Sequence, residues 1–144
     1  MTAPVLPHLA GLARQLLLAD PTFTALTPGG LASAAPATIT KPFAVILTSV
    51  TPIDAAAGAY RGDLAINGCA SIPFGDKEPL TAAWDIAARA AALLATVRNA
   101  SYEQVRYSAR VTDGPMEMPL DKTRGPATPV FGVQVRAELL IHAH

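Results

Sequence analysis

Phe131-Gly132-Val133-Gln134-Val135-Arg136-Ala137-Glu138-Leu139-Leu140-Ile141-His142 is the most regular stretch of the chain. Phe131, Val133, Val135, Ala137, Leu139 and Ile141 hold one parity; Gly132, Gln134, Arg136, Glu138 and His142 hold the other. Side chains alternate across a strand, so this order predicts a strand with one apolar and one polar face. The same alternation sets Val105, Tyr107, Ala109 and Val111 against Gln104, Arg106, Ser108, Arg110 and Thr112, until Asp113-Gly114-Pro115 ends the run. From Tyr60 to Ser71, Tyr60, Leu64, Ile66 and Ala70 oppose Arg61, Asp63, Asn67 and Ser71. Asn67-Gly68 is also a favoured two-residue hairpin turn. The phase persists through the pair, however, which predicts one long strand. Phe43 to Val50 is nearly continuously apolar and predicts a strand buried on both faces.

Two helical patterns accompany these strands. Leu6, Leu9, Ala13, Leu16 and Leu17 recur at helical spacing, predicting a helix from about Pro7 to Ala19 that Pro21 stops. Thr22 to Leu26 offers one further turn before Thr27-Pro28-Gly29-Gly30 breaks the chain, and Leu31 to Lys41 is irregular. From Leu80 to Arg98, a stripe of Leu80, Ala83, Trp84, Ala87, Ala91 and Leu94 is widened by Ile86, Ala90, Leu93 and Val97. Asp85 and Arg89 stand in the favourable i,i+4 order for an ion pair on that helix. A helix apolar over so much of its circumference is covered on more than one side, or is rich in alanine only because alanine forms helices well.

The order is therefore helix, strand, strand, helix, strand, strand, within 144 residues that make one domain. It predicts an α+β fold: a mainly antiparallel sheet of about four to five strands with two principal helices on one face.

Composition narrows the function more by exclusion than by assignment. Eleven Lys/Arg balance 11 Asp/Glu, so no field of one sign points to nucleic acid or an anionic membrane. Charged residues make up 15%, against about 25% in typical domains. With 51% apolar residues and a mean hydropathy of +0.32, this favours surface buried in subunit contacts. No apolar run approaches the ~18 residues of a membrane span. Met1-Thr2-Ala3-Pro4 lacks the basic opening of a secretory signal, so secretion is not expected.

The search for chemistry is mostly negative. His142 and His144 would share a strand face, the minimum geometry for a metal pair, but no acidic or thiol partner is identifiable. Cys69 has no basic neighbour or diagnostic histidine spacing and reads as a small buried residue. Serine nucleophile elbows, HExxH, Walker A and GxGxxG after a strand are absent. Asp76 and Glu78 sit in a loop, without a dyad's context. Arg106, Arg110 and Arg136 line one side of the sheet with no interleaved aromatics, which suits a solvated face better than a nucleic-acid surface. Neither an enzyme nor a cofactor is expected.

The arrangement as a whole, from about Leu9 to His142, resembles the tail terminator (tail completion) proteins of long-tailed bacteriophages. The resemblance rests on the opening helix ending Leu16-Leu17-Leu18-Ala19-Asp20-Pro21 with Phe23-Thr24-Ala25-Leu26 after it. It rests also on the apolar strand Phe43 to Val50, on the strand Arg61 to Ser71 leading into the alanine-rich helix, and on the closing strand Val130 to His142. The departures are the Pro/Ala-rich Leu31 to Pro42 stretch and the long Asp113 to Thr128 insertion. The resemblance implies a homohexameric ring on the last ring of the tail tube, at the head–tail junction of the virion, assembled in the host cytoplasm. Such a ring stops tube polymerisation and offers the surface to which the head docks. Its partners would be the tail tube protein and a head-closure or connector protein, with DNA passing through without sequence-specific binding and no membrane involved. Other readings are a different head–tail connector, the tube protein itself, or a small-ligand domain on an α+β sheet.

One segment is singled out as an interaction arm. Asp113 to Thr128 joins two strands able to pair as a hairpin, whereas hairpin loops usually take about 2–5 residues. Pro115, Pro119 and Pro126 do not suit a sheet interior. Met116, Met118 and Leu120 alternate with Glu117, Pro119 and Asp121, so an extended segment has one apolar side. Met116, Met118, Leu120 and Arg124 are the expected contact residues, with methionine suited to an adaptable surface.

Overall fold

A computed structural model describes residues 8–125 and 128–143. The chain runs through α1 (Leu9–Leu18), α2 (Pro21–Leu26), β1 (Leu31–Ala32), β2 (Phe43–Asp54), β3 (Ala59–Ala70), α3 (Pro79–Ala95), β4 (Ala100–Tyr102), β5 (Val105–Glu117) and β6 (Phe131–Ala143). The strands form one six-stranded sheet in the order β1-β2-β3-β6-β5-β4. All its pairings are antiparallel except β1 with β2. The α+β class and the four long strands agree with the alternation in the sequence. The sheet exceeds the expected four to five strands, and α2 makes a third helix, because β1 and β4 span only two and three residues. Runs that short carry no readable period.

Register explains which residues make the core. Ile66 lies opposite both Ile46 and Val135, and Leu139 opposite Gly62 and Ala109. Even positions of β2 and β3 therefore share a face with odd positions of β5 and β6. That face carries Ile46, Leu64, Ile66, Tyr107, Val135, Leu139 and Ile141, all buried beneath the helices. Leu9, Leu12 and Leu17 of α1 and Ile86, Ala90 and Leu94 of α3 complete the cluster. Two glycines let the helices approach. A Cβ on Gly62 would sit 2.9 Å from the Leu9 side chain; one on Gly68 would collide with the Ala83 carbonyl and lie 2.8 Å from Ile86 Cβ. Asn67-Gly68 is thus interior strand, as its phase predicts, and the glycine serves helix–sheet packing rather than a turn.

Four expectations need correction. Trp84 is not in the core stripe: the buried face of α3 is Ala83, Ile86, Ala87, Ala90 and Leu94, and Trp84 lies one position outside it, 42% exposed. Asp85 and Arg89 do not pair with each other. Asp85 meets Lys77 at 2.7 Å, while Arg89 reaches across to Asp20. β2 is buried on both faces only at its start, and Leu47 is already 50% exposed because nothing among the described residues covers that side. Finally, Asp113-Gly114-Pro115 does not end β5. The strand continues to Glu117 through two register shifts, one on each side of Asp113, with Gly114 at φ +93°. Bulges of this kind absorb the proline that a regular ladder would reject. Pro7, at the expected start of the first helix, lies outside the described residues.

Candidate interaction surfaces

The second face of the sheet divides into a covered end and an open trough. At the covered end Phe43, Cys69 and Val130 are buried together, with Ile39 and Val45 packed beside them. The cover comes from the stretch before β2 and from the connection between β5 and β6. Described residues of that connection are tied down: Met118 N donates to the Gly132 carbonyl at 2.9 Å, and Asp121 and Val130 exchange backbone hydrogen bonds at 3.1 and 2.8 Å. Ser71 Oγ donates to the Pro129 carbonyl. Arg124 clasps the opposing stretch, its Nη1 and Nη2 donating to the Ala37 and Pro36 carbonyls at 2.8 and 2.7 Å.

The expected arm residues therefore part company. Residues 113–117 belong to β5, and Arg124 is engaged at the surface by carbonyls of its own chain. Met116, Met118 and Leu120 remain 36%, 37% and 40% exposed. Met116 lies opposite Gln134, and the Met118 Cβ sits against Gly132, so both lie over the second face of the sheet. Pro126 lies outside the described residues. Strand direction brings the ends of β3 and β5 and the start of β6 to this same end of the sheet. Ile72 and Phe74, in the loop after β3, and Trp84, in the second turn of α3, add three more exposed large apolar side chains there. Thr81, Trp84 and Glu117 line a common recess. The sequence shows Phe74 and Trp84 but not their exposure, which depends on the rotation of α3 and on where the β3–α3 loop leaves the sheet.

Beyond the covered end, the open face holds a trough of about 530 Å3 whose lining includes Leu47, Ser49, Asp63, Thr112, Arg136 and Glu138. Its floor is a polar relay: Arg136 Nε donates to Gln134 Oε1, and Gln134 Nε2 donates to Asn67 Oδ1, both at 2.8 Å. Asp63 and Glu138 are direct cross-strand neighbours, a repulsive juxtaposition eased by Arg61 at 3.8 Å and Arg110 at 3.9 Å. Arg106 donates to Asn99 and Ser101. The three arginines of the sheet face are thus each engaged by a neighbour within the chain.

Burial, with a smaller push from the Asp121 carboxylate, raises the Cys69 thiol to about 11. It stays protonated at neutral pH and behaves as a small apolar group. His142 is exposed beside Arg106, and His144 lies outside the described residues. Among the described residues, no group of three or more His, Cys, Asp or Glu side chains is placed to hold a metal ion. Nor is any helix among them long and apolar enough to cross a membrane. No protein-family model, curated protein or solved structure matches this chain.

Proposed function

We propose that this chain is a structural virion protein that forms a ring on the end of a long-tailed phage's tail tube. The ring ends tube polymerisation and presents the surface to which the head docks, acting through contact surfaces rather than catalysis. The observation that carries this reading is the collection of exposed apolar side chains at one end of the sheet: Ile72, Phe74, Trp84, Met116, Met118 and Leu120. Met116 and Met118 lie over the second face and Trp84 on the helix side, and exposed aromatic residues and methionine of this kind are enriched at protein contact surfaces. The helix–strand–strand–helix–strand–strand order and the low charged fraction support the same reading. A homohexamer matches the symmetry of a tube end, with tail tube protein on one side, a head-closure or connector protein on the other, and DNA passing through unread.

The test is to add the purified protein to polymerising tail tube subunits and image the products. Tubes of limited length bearing one extra ring at a single end support the reading. Unlimited stacking of the protein on itself identifies a tube protein instead, and indifference to the tube rejects both.

A further inference from the structure

At the end of the sheet away from the apolar cluster, where β3 and β5 begin and β6 ends, the open face carries a different surface. Leu140, 45% exposed, lies opposite Ser108 on β5 and Arg61 on β3. Two residues to either side along β5, Arg106 stands against His142 and Arg110 against Glu138. Leu140, Ser108, Arg98 and Arg110 line a common recess of about 340 Å3. An exposed leucine thus sits among four guanidinium groups.

These arginines are held in place without being neutralised. Arg98 Nη1 donates to the Val97 and Ala109 carbonyls at 2.8 and 3.0 Å. Arg106 Nε and Nη1 donate to Asn99 Oδ1 and Ser101 Oγ at 2.9 and 3.1 Å. All four acceptors are uncharged, so they fix the guanidinium groups and leave their charge. Arg61 and Arg110 meet Asp63 and Glu138 only at 3.8 and 3.9 Å, and the Arg110 side chain is 73% exposed. Pairs this loose and exposed contribute little. Among the described residues, Glu103 in the turn from β4 to β5 ion-pairs with none of these arginines. Charge at this corner is therefore in surplus, and its sign is positive.

We propose that this corner docks an extended acidic segment of a partner protein, with two carboxylates flanking an apolar side chain in the order acid-x-apolar-x-acid. Arg106 and Arg110 share one side of β5 in a stretch of regular register, about 13 Å apart at the usual strand rise. No single phosphate or carboxylate spans that distance, whereas residues i and i+4 of an extended peptide match it. The residue midway between them falls on Leu140 and Ser108. Carboxylates meeting guanidinium groups make the stronger, charge-assisted class of hydrogen bond. A nucleic-acid backbone fits less well. Its phosphates gain nothing from Leu140, and the Asp63–Glu138 pair beside it repels a continuous polyanion. The proposal does not depend on the phage reading. It gives the subunit a second contact surface, at the end of the sheet opposite Phe74, Trp84 and Met116.

Peptide selection on the full chain, without tube, tests it. A random-peptide library displayed on ribosomes is passed over an Arg106→Gln/Arg110→Gln variant and then selected on the native protein. Enriched peptides should carry the acid-x-apolar-x-acid order. Their affinity should fall about tenfold or more in the single variants Arg110→Gln and Leu140→Ser, the scale of a contact hot spot. Both positions are exposed, so thermal midpoints near the native value should confirm that the variants fold. Binding should also collapse at about 1 M salt, where the screening length is about 3 Å. No enrichment over the double variant, or enriched peptides without spaced carboxylates, would overturn the proposal. Unchanged affinity in Leu140→Ser would do the same. Duplex DNA that displaces the peptides at lower total charge would mark a nucleic-acid surface instead and reject the peptide. None of these outcomes bears on tube termination, so the two readings fail separately.

Discussion

Arg89 on α3 holds Asp20, the N-cap residue just before α2, with two parallel hydrogen bonds: Nε to Oδ2 and Nη2 to Oδ1, both at 2.8 Å. The same carboxylate accepts the Phe23 N–H at 2.9 Å, capping the first turn of α2. One side chain thus ends a helix junction and fastens it to the helix that covers the sheet. Phe23, carried by that short helix, is fully buried.

The Arg89 guanidinium, foremost, holds the Asp20 carboxyl at about 2, below its ordinary 3.8. A depressed carboxylate stabilises the fold above its unfolded-state value, and that contribution is lost as pH falls through the folded value. Thermal midpoints should therefore drop between about pH 4 and pH 2. Arg89→Met should lower the midpoint at neutral pH and flatten its slope in that acid window. Scanning calorimetry of both proteins across the window checks this. An unchanged slope in the variant would assign the acid sensitivity elsewhere.

Gly68→Ala should destabilise the fold by about 1–3 kcal/mol, the usual range for overpacking. Its new methyl group meets the Ala83 carbonyl and Ile86, backbone and branch point of a helix that cannot shift alone. Gly62→Ala should be milder, since the close group there is the tip of the Leu9 side chain. Urea denaturation of the two variants measures the difference; equal losses would contradict this account of helix–sheet approach.

Much of this architecture is legible in the sequence, and the failures share a cause. The strands around Ile66, Tyr107 and Val135 are readable because each keeps a period of two across a half-covered sheet. Trp84 and Arg89 are misread because both roles depend on partners distant in sequence: the sheet face that sets the rotation of α3, and Asp20 on another helix. The run through Asp113-Gly114-Pro115 looks like a strand end because bulges have no period. The same holds for the candidate surface. The alternation of Met116, Met118 and Leu120 is visible, whereas the contributions of Phe74 and Trp84, and the clasp of Arg124 on Pro36 and Ala37, arise only in three dimensions.

Arg124→Ala should loosen both segments that Arg124 joins without disturbing the main core. The two hydrogen bonds to the Pro36 and Ala37 carbonyls lie at the surface. Faster amide exchange and proteolysis within residues 33–41 and 119–129, with little change in thermal midpoint, is the expected outcome. A large cooperative loss of stability would show that this clasp supports the core itself.

Charge placed on the apolar end should separate folding from function. Met116→Asp and Met118→Asp put carboxylates at positions already more than a third exposed. Each should fold with a near-normal midpoint yet weaken attachment to tail tube or head by roughly tenfold or more, the scale of a contact-surface hot spot. Co-sedimentation with tubes and complementation of tail assembly measure the two attachments. Full activity in both variants would remove this end of the sheet from the contact surface.

The central claim is tested most directly by tube length. Tail tube subunits polymerised with increasing amounts of this protein should give progressively shorter tubes, each carrying a single ring of six copies at one end by electron microscopy. Tubes of unchanged length, with no added ring at either end, would contradict the account.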